Sequence, residues 1–238
     1  MNTETAEALK SPSEMEVLLT QNRDRFEVLY QAVNRLHIDA AAAGGEAAGG
    51  HGFDHDLMVA QYGAYIAPDT HTGTLAWVAG MIHSTDRIVA SHYVELKLQR
   101  LLSLLPEDIS GSDRELILDA VLRHSRKNEV DDTSVTITLK DADRLANTNP
   151  GVLMRAGQFC NTLPFVIPTI VQSPGVDIPN TYNDPRSAYD SLAFNIEWET
   201  WFRLPKAQQL GHQHCAYIRK YMLDVRQSYT AMGVGVMS

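Results

Sequence analysis

The sequence is poor in cysteine, in basic clusters and in long apolar runs, and each shortage excludes a class of protein. Its two cysteines, Cys160 and Cys215, form no CxxC pair, which excludes an all-cysteine zinc site. The formal net charge is −9, and the densest basic stretch, residues 123–127, is too short to follow a nucleic-acid backbone. No apolar run approaches the roughly 18 residues that span a bilayer. We therefore expect neither a nucleic-acid polymer nor a membrane as partner, and a homodimer is left open.

The N-terminus carries no signal-peptide pattern, and the few cysteines form no recognisable framework. Both observations favour a protein of the reducing cytoplasm.

Alternation of apolar and polar residues, the mark of β-strands, is nearly absent; VTITL at 135–139 is the one β-like run. Apolar residues instead recur every three or four positions, which is typical of helices with one buried face. This spacing predicts helices over 15–36, 54–67, 74–83, 91–105, 113–124, 134–147, 187–202 and 205–229. The sequence therefore predicts an all-α protein, and no linker is strong enough to divide residues 1–238 into separate domains.

Two stretches interrupt the helical pattern. Residues 40–50 hold four glycines and are predicted to form a flexible loop. Residues 161–186 hold five prolines and no helical period. We interpret this Pro-rich excursion as a lid or wall over a site, and so as the element that sets specificity.

Four polar residues occupy positions where a buried apolar residue is expected. His55 begins the apolar stripe of its helix, and His83, His124 and Asp143 each lie four residues after a stripe residue, on the same helix face. A buried imidazole or carboxylate is costly unless it is paired or bound to a metal. One such residue is most often a paired core residue, but four on helices that can pack together predict a shared site. Imidazoles and carboxylates on facing helices are how helical bundles hold divalent metals.

The same segments carry a resemblance to a known family. GHGFDHDLMV, residues 50–59, resembles the opening motif of the HD-domain metal-dependent phosphohydrolases. AGMIH, residues 79–83, is similar to the apolar helix that ends in their His-Asp doublet, and KDADRLAN, residues 140–147, resembles their last metal-ligand motif. Residues 207–221 look like the terminal helices of the small bacterial subgroup.

The resemblance implies a single HD-domain-like helical bundle, with the Pro-rich excursion and C-terminal helices packed on it. Its parts would be an N-terminal helix and Gly/Ala loop at 1–49, an HD core at 50–160, the excursion at 161–186, and C-terminal helices at 187–229.

Carried over to this sequence, the resemblance makes His55, His83 and Asp143 ligands of a divalent ion, with Mn, Fe, Co, Mg and Zn all open. His124 falls where two-metal members place a further histidine, and His92 matches another. The alternative for His124 is a helix-end histidine that interacts with the helix dipole.

The family doublet is changed here, because its aspartate is replaced by Ser84. Serine is a poor ligand for a divalent ion, and two readings follow. Asp86 lies at i+3 from His83, a spacing that di-iron bundles use on one helix, and would replace the lost ligand. Alternatively, Asp86 caps the next helix, and the site is weakened to one ion or lost.

Three cations lie beside the proposed ligands. Arg87, Lys140 and Arg144 are expected to neutralise phosphate charge next to Asp86, the substitute ligand; the alternative for each cation is a surface salt bridge. His51 would contact the substrate or a ligand, or would be a solvated loop residue.

The resemblance implies a metal-dependent phosphohydrolase of a nucleotide or small phosphate ester, with a small phosphorylated molecule as partner. An HD-fold di-iron oxygenase of a small organic substrate is one alternative, and it would require His92 and His124 together with a bridging carboxylate. A non-catalytic small-molecule-binding protein on a degenerate HD scaffold is the other, and Ser84 favours it.

Overall fold

All regular secondary structure in the described part of the chain is helical, as the sequence predicts. The structure is a computed structural model that describes residues 12–43, 52–171 and 180–236. Within these ranges two isolated β-bridges occur and no strand. Residues 44–50 of the Gly/Ala loop, His51, and residues 172–179 of the Pro-rich excursion lie outside the described residues.

The helices follow the predicted ranges closely. They are α1 Pro12–Arg25, α2 Glu27–Ala42, α3 Phe53–Ile66, α4 Thr70–Ile82, α5 Thr85–Ile88, α6 Val94–Leu102, α7 Gly111–Arg123, α8 Ser134–Ala146, α9 Val152–Phe159, α10 Ala188–Glu197 and α11 Pro205–Ala231. Short 3₁₀ turns cover Ser91–Tyr93, Thr169–Val171 and Trp198–Trp201.

The differences from the prediction are local. The predicted helix 15–36 is interrupted at Phe26, whose buried ring stacks on Trp77 with centroids 5.6 Å apart. The β-like run 135–139 lies inside α8, where Thr138 Oγ1 donates to the carbonyl of Ser134 and satisfies its hydroxyl within the helix. Helices α5 and α9 carry no pattern long enough to be predicted.

The described chain falls into two compact units. The first contains the residues up to Ala146 together with Arg203–Ala207, and the second contains Asn147–Phe202 and the residues from Gln208 onward. The expectation of one HD-like domain over the whole chain stays a prediction.

Helices α3, α4, α7 and α8 form the centre of the first unit. Every residue of α4 from Leu75 to Ile82 is buried, because this helix is apolar on all faces and is enclosed by its neighbours. The backbones of α3 and α4 touch through small residues. The contacts pair Gly63 with Ala76, Gly73 with Ala64, and Gly80 with Ala60.

A Cβ atom on Gly80 would lie 2.5 Å from the backbone nitrogen of Ala60, closer than any real contact. The paired numbers rise along α3 as they fall along α4, so the two helices are antiparallel. The first turn of α3 therefore lies beside the end of α4, and His55 lies beside His83.

A short piece of distant sequence completes the first unit. The buried carboxylate of Asp141 accepts hydrogen bonds from the backbone N–H groups of Arg203 and Leu204, each at 2.8 Å. Arg203 Nη1 also lies 2.8 Å from Asp132 Oδ2. These bonds fix residues 203–207 against α8.

The second unit has its own apolar core, formed by Val152, Ala156, Leu192 and Ile218. The described flanks of the Pro-rich excursion are bonded within this unit: the carbonyls of Pro164 and Phe165 accept from the first N–H groups of α10. The interpretation of the excursion as a lid stays a prediction.

Candidate metal centre

Three side chains from three helical segments of the first unit bring their donor atoms together. His55 lies in the first turn of α3, His83 follows α4 directly, and Asp143 lies in α8. The two Nε2 atoms are 3.3 Å apart, and Asp143 Oδ1 lies 3.3 Å from His55 Nε2 and 3.8 Å from His83 Nε2. All three donor atoms lie within 4.8 Å of one another, which makes this group able to hold a metal ion.

The His83 ring is oriented with its free electron pair toward the group. Its Nδ1 lies 2.7 Å from the carbonyl oxygen of Gly80. A carbonyl only accepts hydrogen bonds, so Nδ1 carries the proton and Nε2 is the donor atom available to an ion. Burial lowers the pKa of His83, although Asp56 and Asp143 act in the opposite direction. The neutral form that a metal ligand requires is therefore favoured.

Asp143 is held as an anion at the accessible side of the group. Burial acts to raise its pKa, but the hydrogen bond with His55 is the largest effect in the opposite direction, and the pKa lies well below its usual range. The Asp143 side chain is 21% exposed, whereas those of His55 and His83 are 0% and 2% exposed. Solvent therefore reaches the group at Asp143.

The separations between the donor atoms fit one shared ion. Metal–ligand bonds of about 2.0–2.2 Å at tetrahedral angles place two donor atoms about 3.3–3.6 Å apart. The measured separations of 3.3, 3.3 and 3.8 Å lie at or just beyond this range. Three protein ligands with one accessible side are also the arrangement of catalytic zinc sites, which keep a position open for water or substrate.

Ser84 faces the group, although its hydroxyl is a weak donor to metals. Its Oγ lies 3.3 Å from His83 Nε2, and the residue is 1% exposed. Ser84 is also the residue before the first turn of α5, where it makes no side-chain capping bond.

His124 borders the group. Its ring centroid lies 5.3 Å from that of His83, while its Nδ1 donates to the carbonyl of Val121 at 2.6 Å. The residue therefore lies beside the donor atoms, as a further ligand would, and it also satisfies a carbonyl at the C-terminal end of α7.

Asp86, Arg87 and His92 are not brought to the three-donor group. Asp86 and Arg87 are 40% and 51% exposed, and their charged groups lie 3.8 Å apart. His92 is exposed, and its ring lies against that of Tyr93 with centroids 4.1 Å apart. The i, i+3 argument for Asp86 assumed one continuous helix, but α4 ends at Ile82 and α5 begins at Thr85. The capping argument is also wrong in detail, because Ser84, and not Asp86, precedes the first turn of α5.

Lys140 is enclosed in the first unit and already neutralised. Its ammonium lies 2.8 and 2.9 Å from the two carboxylate oxygens of Asp132 and 2.9 Å from the carbonyl of Lys127, and the side chain is 0% exposed. The ammonium of Lys140 is therefore inaccessible and already paired, and this placement gives no support to a phosphate-neutralising role.

Arg144 interacts electrostatically with Asp143 of the three-donor group. Burial lowers the pKa of Arg144, and the charges of Asp141 and Asp143 oppose this effect. Its Nη1 donates to Asn128 Oδ1 at 2.8 Å. Of the cations predicted from the sequence, Arg144 is therefore the one whose pKa is affected by the charge of Asp143.

Two residues near the group were missed. Asp56 Oδ1 lies 3.5 Å from His83 Nδ1, and Asp56 Oδ2 lies 2.8 Å from His37 Nε2. His37 follows the buried residue Val33 by four positions on α2, which is the same signal that identified His83 and Asp143.

Comparisons with known proteins support the fold and leave the family open. No family model matches the chain, and no curated protein matches it. A crystal structure of a protein from Lactobacillus plantarum has a TM-score of 0.63 at 16% identity, covering 86% of this chain and 98% of its own. The crystal structure of Bacillus subtilis YpgQ in complex with ADP has a TM-score of 0.60 at 16% identity, covering 87% and 96%.

A further structure of Bacillus subtilis YpgQ has a TM-score of 0.58 at 14% identity, with coverage of 87% and 96%. At these identities the likeness shows a shared all-α fold. Among the described residues, none of the helices combines the length and apolar character that crossing a membrane requires.

Proposed function

We propose that the chain is an HD-type metal-dependent phosphohydrolase that acts on a nucleotide or a small phosphate ester. The observation that carries this proposal is the spacing of the His55, His83 and Asp143 donor atoms, which fits one divalent ion. The resemblance of their three motifs to the HD domain supports it. So does the likeness of the fold to that of YpgQ, a protein with a structure in complex with ADP.

The three donor residues and Arg144 would have different roles in binding the ion and the substrate. His55 and His83 would hold the ion from the buried side, and Asp143 from the side that solvent reaches. The ion would polarise the phosphoryl group and lower the pKa of a bound water. Arg144 is the candidate for balancing phosphate charge, because it lies in the field of Asp143. Two imidazoles and one carboxylate suit Mn, Fe, Co or Zn better than Mg, which prefers oxygen ligands.

The test begins with metal analysis of protein purified without a metal-affinity tag, followed by phosphate release from nucleoside mono-, di- and triphosphates and small phosphate esters. We expect one divalent ion per chain and metal-dependent release of phosphate. Absence of metal uptake by the wild-type protein would refute the proposal.

Asp143→Ala provides the matched control. It should abolish metal binding and phosphate release while the fold survives with a lower free energy of unfolding, because the buried imidazoles of His55 and His83 lose their anionic partner. Thermal unfolding and metal stoichiometry, measured on the same sample, check both expectations. Wild-type stoichiometry in this variant would contradict the ligand assignment.

A second candidate function is nucleotide binding without hydrolysis, and Ser84 favours it. A hydroxyl, in place of the carboxylate found in the HD doublet, lies beside His83 Nε2. This candidate predicts that ADP binds the metal-loaded protein and is recovered unchanged. The di-iron oxygenase has no comparable support, because His92 is exposed and outside the three-donor group.

A further inference from the structure

A buried carboxylate and a second histidine lie on the far edge of the His83 ring. The donor group meets His83 at Nε2, whereas Asp56 meets it at Nδ1, with Oδ1 3.5 Å away. Asp56 in turn is held by His37 of α2, whose Nε2 lies 2.8 Å from Oδ2. His37, Asp56 and His83 therefore form a line that ends at the donor group.

The burial of Asp56 is unfavourable for folding, and packing alone does not explain why a carboxylate lies there. The Asp56 side chain is 1% exposed, and within the described residues its Oδ1 has no hydrogen-bond partner. A buried polar oxygen without a partner destabilises the folded state, because its bonds to water are lost and not replaced. The Nδ1 proton of His83 points to the Gly80 carbonyl at 2.7 Å, so Asp56 acts on the ring through its charge at 3.5 Å.

We propose that Asp56, held in place by His37, is a positioning residue that strengthens His83 as a metal ligand; this inference rests on the proposed metal site. An imidazole that donates its Nε2 electron pair to a cation becomes more positive at Nδ1–H. A carboxylate beside that N–H stabilises the positive charge, and it orients the ring together with the Gly80 carbonyl. His37 fixes Asp56 so that Oδ1, and not Oδ2, faces His83.

The experiment measures Zn²⁺ affinity by calorimetric titration of metal-free Asp56→Asn, His37→Gln and wild-type protein. Removal of a charge behind a ligating histidine typically weakens metal binding 10- to 100-fold, and we expect a loss in this range for Asp56→Asn. His37→Gln should lose affinity in the same direction but less, because the carboxylate remains and only its orientation is relaxed. Wild-type affinity in both variants would overturn the proposal.

Asp190→Asn is the matched control for loss of a buried carboxylate. Asp190 is also buried and is paired with Arg186 and Ser187. We expect it to lower the unfolding temperature while Zn²⁺ affinity stays at the wild-type value. An equal loss of affinity in Asp190→Asn and Asp56→Asn would show a general effect of instability and would overturn the specific role of Asp56.

A second readout does not depend on metal binding or catalysis. In the metal-free protein, the NMR signal of the His83 Nδ1 proton reports how strongly that N–H is polarised. We expect the signal to move upfield in Asp56→Asn and to keep its position in Asp190→Asn. If wild-type protein binds no Zn²⁺, the proposed function fails, and this signal alone decides whether Asp56 acts on His83.

Discussion

Ser84 places a hydroxyl, and not a carboxylate, 3.3 Å from the nitrogen of His83 that faces the donor group. The backbone at this position already directs the side chain inward, so a longer acidic side chain would need little rearrangement to reach the same space. The identity of this one residue therefore decides whether the group offers three strong donors or four.

We expect Ser84→Asp to raise divalent-metal affinity by at least tenfold, about 1.4 kcal/mol, because it adds an anionic donor beside His83. Metal-free Ser84→Asp should be less stable than wild type, since a second carboxylate then lies near Asp143 without an ion between them. Calorimetric metal titration and thermal unfolding measure the two effects. Asp86→Asn is the control and should change neither, because Asp86 is exposed and outside the group. A Ser84→Asp variant with unchanged affinity would contradict the expectation.

Glu199 supplies a test of pH dependence in the second unit. The hydrogen bond from Arg219 is the main cause that lowers its pKa, and His212 adds to it, while burial opposes them. A carboxyl group whose pKa is lower in the folded state stabilises the protein above its unfolded pKa of about 4.3, and this contribution is lost as the pH falls through the folded value.

Glu199→Gln should therefore reduce the free energy of unfolding at pH 7 by up to about 1 kcal/mol, as expected for a partly exposed ion pair. The difference between variant and wild type should shrink as the pH falls below about 4. Urea unfolding at a series of pH values checks this; a difference that is constant down to acidic pH would show that the ion pair is not its source.

The rule that polar residues on a core stripe mark a site identified His55, His83 and Asp143, because each lies on a helix whose period was clear. The same rule missed His37, because the predicted helix 15–36 ended one residue before it, whereas α2 continues to Ala42. The separate i, i+3 argument did not locate Asp86 relative to the group, because the two-residue break between α4 and α5 leaves no trace in the spacing of apolar residues. The pairing of Lys140 was not predicted, because its partner Asp132 lies in a loop, where spacing carries no information about contacts.

At the scale of elements, the contact between α3 and α4 sets the distance between the two histidines. Glycines at 63, 73 and 80 let the two backbones touch, and the Gly80 carbonyl also orients the His83 ring. Spacing of apolar residues predicts both helices but says nothing about how closely they approach. The closeness depends on residues with no side chain, which a periodicity argument ignores.

Gly80→Ala should separate α3 from α4, because its Cβ would lie 2.5 Å from the Ala60 nitrogen, which belongs to the backbone and cannot move aside. We expect a loss of about 1–3 kcal/mol in the free energy of unfolding, as for other overpacked cores, together with weaker metal binding. Gly111→Ala is the control, since a Cβ there meets nothing within 4 Å, and its stability should stay the same or rise. Wild-type metal affinity in a destabilised Gly80→Ala protein would show that the donor atoms tolerate the separation.

At the scale of the whole molecule, the candidate metal centre and the core of the second unit are built from different parts of the chain. The donors and the residues that orient them all belong to the first unit, whereas Leu192 belongs to the core formed with Val152, Ala156 and Ile218.

Leu192→Ala should lower the free energy of unfolding by about 2–5 kcal/mol, because it leaves a cavity in that core. Metal affinity below the unfolding temperature should stay at the wild-type value, since no donor atom loses a contact. Chemical unfolding and calorimetric titration, performed at one temperature, compare the two quantities. A fall in affinity that follows the fall in stability would show that the centre depends on the second unit.

The bonds from Arg203 and Leu204 to Asp141 also determine when the first unit can be completed during synthesis. Asp141 and Arg203 are 62 positions apart, and at about 5–20 residues per second a ribosome needs about 3–12 seconds to make that interval. During this time Asp141 lacks the backbone N–H groups of Arg203 and Leu204 that will bond to it. Those two residues are made only after residues 147–202 of the second unit. The first unit thus stays incomplete until residues 203–207 have been made, and a nascent chain that stops before residue 203 carries an unfinished helical core.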